Sequence, residues 1–227
     1  MPSLTRRRAL RGAAALVSGF AGCSGESSPS TSYPTESTGT VAIDPKSYRL
    51  RNPETAPVVW TGERPTARPD EERPHYRSHH FVTGVDDAAS LSFADVPGVD
   101  GARAFLDATD YDTTTVYVEQ WLVGECFAPE LCHVEWSETD IETSYTRRYR
   151  DADVACEADA KDTLAVLIRV PEVIDPGRIS GYGSSLGSSS CEQRNERIRQ
   201  RRNEGRGASG GGGTRGDATA GGSGESR

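Results

Sequence analysis

The chain has 227 residues, a formal net charge of −8 and a mean hydropathy of −0.61. The acid excess lies in residues 24–191, which hold 29 acidic and 14 basic side chains. A surface of this sign repels the phosphate backbone, so the composition argues against a nucleic-acid partner.

The first 23 residues combine three features of an export and lipidation signal. Arg6 and Arg7 lie in the stretch TRRRALR, which has the twin-arginine pattern. Residues 12–21 (GAAALVSGFA) are apolar apart from one serine; they are too short to span a bilayer, which takes about 20 residues, but they suit a signal peptide. Two small residues then precede Cys23, as in a lipobox. We therefore predict residues 1–22 as a cleaved signal peptide and a lipid on Cys23 that anchors the chain to the membrane, against the alternative of an uncleaved helix with a stray cysteine.

Residues 23–77 are predicted to be a lipidated cysteine followed by a stalk. The segment is rich in serine and threonine and holds eight of the 13 prolines. Such a composition favours an extended, flexible chain that lifts the body off the lipid surface. The apolar residues 57–60 (PVVW) are either a first strand or a patch that packs on the body.

The body, residues 78–191, has the period-two pattern of strands and little helical period. Residues 101–107 predict its one short helix. Residues 113–123 (TTTVYVEQWLV) predict the strongest strand, and residues 131–136 return with alternating side chains, so we predict a hairpin around residues 124–130. Further strand candidates are residues 80–82, 90–93, 144–149 and 163–170. The pattern predicts an all-β fold, an antiparallel β-sandwich or open barrel, with a disordered N-terminal stalk and C-terminal tail.

The tail, residues 192–227, has one large apolar residue, Ile198, among 36 residues rich in Gly, Ser and Arg. It cannot bury enough surface to offset the entropy of ordering, so we predict disorder. Its arginines either rest on the acidic body, reach anionic headgroups, or have no role.

Four cysteines remain after Cys23: Cys126, Cys132, Cys156 and Cys191. An even number in a small exported domain predicts two disulfides. Because Cys126 and Cys132 flank the predicted hairpin loop, we favour a bridge between them and a second between Cys156 and Cys191, with the two other pairings left open. The alternative is a soft-metal site that uses Cys126, Cys132 and His133, but it would need free thiolates in an oxidising compartment.

The chain has four histidines, of which His79, His80 and His133 are weak candidates for a Zn or Cu site; the fourth is His75. His75 and His79 are four residues apart, which would align them on a helix, but Pro74 and the strand-like residues that follow argue against one. The alternative is a polar strand edge. We predict no cofactor.

Two further patterns match chemical motifs only in part. Residues 183–187 (GSSLG) have the G-x-S-x-G pattern around Ser185, but no histidine follows and glycines and serines surround the match, so we predict a loop. Residues 151–162 space carboxylates like a calcium loop, but the sixth position is a cysteine where a glycine is needed, which favours a solvated acidic turn. We predict no enzymatic activity.

The export segment and the composition together resemble those of haloarchaeal lipoproteins exported by the twin-arginine route. Only Lys46 and Lys161 are lysines among 26 basic residues, as in proteins of salt-loving archaea. The body resembles an uncharacterised family of such proteins from residues 130–132 (ELC) to residues 151–159 (DADVACEAD). The resemblance implies a lipid-anchored protein on the outer face of the cell membrane. We expect a non-catalytic binding or structural module; the alternatives are a surface Cu- or Zn-binding protein and a secreted serine hydrolase.

Overall fold

The structure is a computed structural model that describes residues 39–65 and 77–209, the last five of these by backbone alone. Within these ranges, strands alternate with short connections and few helices. The elements are β1 (Thr40–Ile43), β2 (Ser47–Asn52), β3 (Val59–Thr61), β4 (Arg77–Val82), α1 (Val85–Ser90), β5 (Leu91–Phe93), α2 (Val99–Asp107), β6 (Thr115–Gly124), β7 (Glu130–Trp136), β8 (Asp140–Thr146), β9 (Lys161–Val170), β10 (Gly181–Gly187) and α3 (Cys191–Ser209).

Two four-stranded sheets form the body. Sheet A has the strand order β1-β7-β8-β10 and sheet B has the order β2-β9-β6-β4, while β3 and β5 pair as a small ribbon. All pairs are antiparallel except β8 with β10, which run parallel. The predicted all-β sandwich is confirmed.

Apolar side chains cover both faces of the central strands of sheet B. Tyr117 and Val123 of β6 face a core shared with Val134 and Ile141 of sheet A, whereas Val118 faces a second core. This second core lies under α1, α2 and the β3–β5 ribbon. In strand β9, too, successive apolar side chains point alternately into the first and the second core.

The predicted hairpin between residues 113–123 and 131–136 is wrong, because β6 and β7 belong to different sheets. The connection between them crosses from sheet B to sheet A. Arg51 of β2 holds this crossover: it pairs with Asp162 and donates to the carbonyls of Phe127 at 2.9 Å and Glu125 at 3.0 Å. Strand β6 is buried on both faces inside sheet B, where it pairs with β4 and β9.

The favoured disulfide pairing is also wrong. The structure pairs Cys126 with Cys156, with an S–S distance of 2.05 Å, and Cys132 with Cys191 at 2.07 Å. The chain crosses from sheet B to sheet A between β6 and β7, and it crosses back between β8 and β9. Cys126 lies in the first of these connections and Cys156 in the second, and the disulfide joins the two. Cys132 instead faces α3, at a bulge where the register shifts between Leu131 and His133.

Both predicted domain boundaries move outward. The stalk prediction for residues 23–77 fails over β1, β2 and β3, because β1 pairs with β7 and β2 pairs with β9. Pro45 and Pro53 lie between these short strands and end them. The disorder predicted from residue 192 fails over α3, whose Ile198 is 1% exposed. Within residues 39–65 and 77–209, no helix is long and apolar enough to cross a bilayer.

The pairing can be tested by digesting the unreduced protein with trypsin and a Glu-specific protease. Cleavage then falls between Cys126 and Cys132, after Glu130. We expect residues 126–130 to be joined to residues 151–157, and residues 131–135 to be joined to residues 179–192. A peptide that joins Cys126 to Cys132 would contradict the fold described here, because it would require β6 and β7 to form a hairpin.

Candidate functional site

A stripe of α3 residues holds this helix against the outer face of sheet A. Cys191 is bonded to Cys132, and one turn later Asn195 accepts a hydrogen bond from His133 Nδ1 at 2.8 Å and donates to Asp44 at 3.3 Å. The spacing of the stripe is three or four residues, as on one face of a helix. It consists of Cys191, Asn195, Ile198 and Arg202, the last of which donates to the carbonyl of Gly39.

Between α3 and sheet A lies a groove of about 600 Å³, a size typical of small-molecule sites. One wall is the next face of the helix, and the floor is the outer face of β7, β8 and β10. The helix contributes Arg194, Arg197, Gln200, Arg201 and Glu204, and the sheet contributes His133, Glu135, Glu142, Thr143, Ser144, Gly183, Ser184 and Ser185.

The strand β10 leaves room for the groove because its outward positions carry only glycine or serine. At Gly187 a Cβ would overlap the Arg194 guanidinium, so only glycine lets the arginine approach the strand this closely. Arg194 Nη1 donates to the hydroxyl oxygens of Ser144 at 2.9 Å and Ser185 at 3.3 Å. These contacts hold the guanidinium against β8 and β10.

Charges of both signs face each other across the groove. Burial lowers the pKa of Arg194, and the neighbouring Arg197 adds to this effect. Burial also lowers the pKa of His133, against the bond to Asn195 and the nearby Glu135, which both raise it, and Arg201 lowers it further. His133 is therefore neutral near pH 7, and the arginines carry the positive charge of the site.

The three candidate metal-binding histidines lie apart. His79 and His80 are consecutive residues of β4, so they point to opposite faces of sheet B, and His133 lies on sheet A. His79 Nδ1 lies 2.5 Å from the hydroxyl of Tyr117, and its ring stacks on Tyr182. In the part of the chain that the structure describes, no group of three metal-ligating side chains converges. His75 lies outside it.

The neighbours of His79 extend into the interior of the sandwich. Glu119 is its cross-strand partner, and its Oε1 accepts a bond from Tyr145 at 2.6 Å. Burial raises the pKa of Glu119, although the bonds from Tyr145 and Thr143 oppose this rise. Glu119, Tyr117 and Tyr145 are fully buried, so they belong to the core and cannot meet a ligand.

Ser185 lies in strand β10 and not in the predicted loop. Its hydroxyl contacts Ser144 and Arg194, and none of the described histidines bonds to it. Residues 151–162, which space carboxylates like a calcium loop, make other contacts: Cys156 is in a disulfide and Asp162 pairs with Arg51. Cys23, Arg6 and Arg7 lie outside the described residues.

The chain matches no family model, no curated protein and no solved structure. The groove therefore has to be interpreted from its own residues. Reasoning from sequence missed the binding face of α3, because a single apolar residue gave no amphipathic signal. The spacing of Cys191, Asn195, Ile198 and Arg202 was the available sign that this segment is a docked helix.

His79 of β4 gives the protein a predictable response to acid. Burial, with smaller contributions from Arg77 and His80, lowers the pKa of His79 from 6.5 to about 4. Between these values the unfolded chain binds more protons than the folded one, so the free energy of unfolding decreases as the pH falls. We expect His79→Gln to lose less stability than the wild type between about pH 7 and pH 5, as measured by urea unfolding.

The comparison at matched pH isolates His79. Glu119, whose pKa is raised, changes the free energy of unfolding in the opposite direction, because the stability that its protonated form contributes is lost as the pH rises above about 4.5. This contribution is present in both the variant and the wild type. Equal losses of stability in the variant and the wild type would show that the imidazole titrates normally in the fold.

Proposed function

We propose that this protein is a lipid-anchored module on the outer face of the cell membrane that binds a small ligand in the α3 groove and catalyses no reaction. The observation that carries the proposal is the cysteine pairing. Four of the five cysteines form the two disulfides of the body, which leaves Cys23, at the end of the predicted export segment, as the odd one.

The disulfides support an exported protein because such bonds persist in oxidising compartments and are rare in the cytosol. Cys132–Cys191 closes a separation of 59 residues and Cys126–Cys156 one of 30 residues. Crosslinks of this span typically contribute about 2–5 kcal/mol to small secreted domains. Two lipid chains at Cys23 would then hold the folded body firmly to the membrane, whereas one chain would bind only marginally.

The contacts inside the groove favour binding over catalysis. A serine nucleophile needs a base within hydrogen-bond reach, and the base in turn needs an orienting partner. Here the Ser185 hydroxyl faces a guanidinium, which cannot accept a proton, and His133 Nδ1 is committed to Asn195. The groove instead holds the Arg194 guanidinium through Ser144 and Ser185, beside further charged side chains, which suits a binding site.

The proposal predicts the state of the N-terminus in a host with a working twin-arginine pathway. We expect the wild-type chain in the membrane fraction, with an intact mass that lacks residues 1–22 and includes a lipid on Cys23. Cys23→Ser should lose the lipid and leave the membrane fraction, while its melting temperature stays unchanged because both disulfides remain. Replacing Arg6 and Arg7 by lysine should retain the precursor inside the cell. A wild-type chain that stays in the cytoplasm with its first 22 residues attached would end this proposal.

A further inference from the structure

The arginines of the groove form no ion pair within the described part of the chain, whereas some arginines elsewhere in this protein do. Arg51, Arg148, Arg178 and Arg199 each pair with a carboxylate within 4.0 Å. Among the described residues, by contrast, the groove arginines form no ion pair. They are Arg194, Arg197 and Arg201, spaced so that they follow one face of α3.

The floor of the groove carries the opposite charge, also without a partner. Glu135 of β7 and Glu142 of β8 are directly opposite each other in the register of sheet A. Like charges in this position repel each other and destabilise a sheet. Neither carboxylate pairs with an arginine that the structure describes, and within the same residues Glu135 Oε2 is buried without a hydrogen bond. A cation placed between the two carboxylates would remove this repulsion.

The two charged regions occupy neighbouring rows of the sheet. His133 and Ser144 form the row beneath Arg194, and Glu135 and Glu142 form the next row along the strands. Rows that face the same side of a sheet are two residues apart, which is about 7 Å. Three arginines of the helix thus face two glutamates of the floor, and Glu204 is the one acidic residue that the helix adds to the lining.

We propose that the groove binds a small zwitterion, with an oxyanion held by the arginines of α3 and an ammonium group held by Glu135 and Glu142. A simple anion would meet the carboxylates of the floor, and a simple cation would meet the three arginines. A neutral polyol would leave both charge clusters uncompensated. Only a ligand with both charges, separated by several bonds, stabilises both regions. This inference rests on the proposed binding role of the groove.

A series of ω-amino acids tests the proposal on the full-length, oxidised protein. The probes are glycine, γ-aminobutyrate and 6-aminohexanoate, and the matched half-molecules are butyrate and butylamine. Because a ligand that binds only the folded state raises the melting temperature, we expect a concentration-dependent rise with one or both longer zwitterions. Glycine is too short to reach both regions and should have less effect. No rise with any zwitterion, or an equal rise with the half-molecules, would overturn the proposal.

Variants assign the effect to the groove. Among residues 39–65 and 77–209, the Arg201 side chain has no hydrogen-bond or ion-pair partner, and Glu142 is exposed, so Arg201→Gln and Glu142→Gln should fold normally. Each should weaken zwitterion binding at least about tenfold, since each removes a charge-assisted contact. The matched controls are Arg199→Gln and Glu196→Gln, which change the same charges on α3 outside the groove and should leave binding unchanged. Equal weakening by the controls would show a general charge effect and contradict the site.

The two proposals fail separately. A correctly lipidated protein that binds no zwitterion would leave the anchored module in place and remove the ligand assignment. A protein that binds the zwitterion but keeps its N-terminal segment in the cytoplasm would remove the surface location and leave the groove.

Discussion

The attachment of α3 to sheet A is the contact on which the candidate site depends. The helix is strongly polar and would not hold its position through apolar burial, because Ile198 is its single large apolar side chain. A covalent bond at its first residue and the buried Asn195–His133 hydrogen bond do this instead. A crosslink at Cys191 restricts the conformations open to the helix, so the few polar contacts that follow are sufficient. Without this attachment the groove has a floor but no arginine wall.

Strand positions and burial faces could be predicted, but the partners of the strands could not. The alternation of Val116, Tyr117 and Val118 fixes which face each side chain takes, because a strand repeats every two residues. It does not say which strand lies alongside. The period-two pattern of β6 suited a hairpin with β7 equally well, and only the packing of two sheets decides that the chain crosses over. The disulfide pairing failed for the same reason, since it was inferred from the hairpin.

The sequence did not reveal the candidate site because each segment that forms it has a composition with a more common interpretation. A run of Gly and Ser at residues 181–187 is typical of a loop, but here it forms an edge strand against β8, whose small residues make space for Arg194. The arginines of residues 194–202 suggest a disordered basic tail, yet the disulfide from Cys191 to Cys132 fixes the start of the segment as a helix beside sheet A. His133 is only a weak candidate for a metal ligand in the sequence, and in the structure its Nδ1 bonds to Asn195.

Hydrogen–deuterium exchange over residues 191–204 is the most direct test of this account. If α3 is docked as described, its backbone amides exchange slowly in the oxidised protein, and they lose this protection when Cys132–Cys191 is reduced while the strands β6 and β9 keep theirs. Exchange of these amides at the rate of an unfolded chain in the oxidised protein would contradict the docked helix, and with it the groove and its ligand.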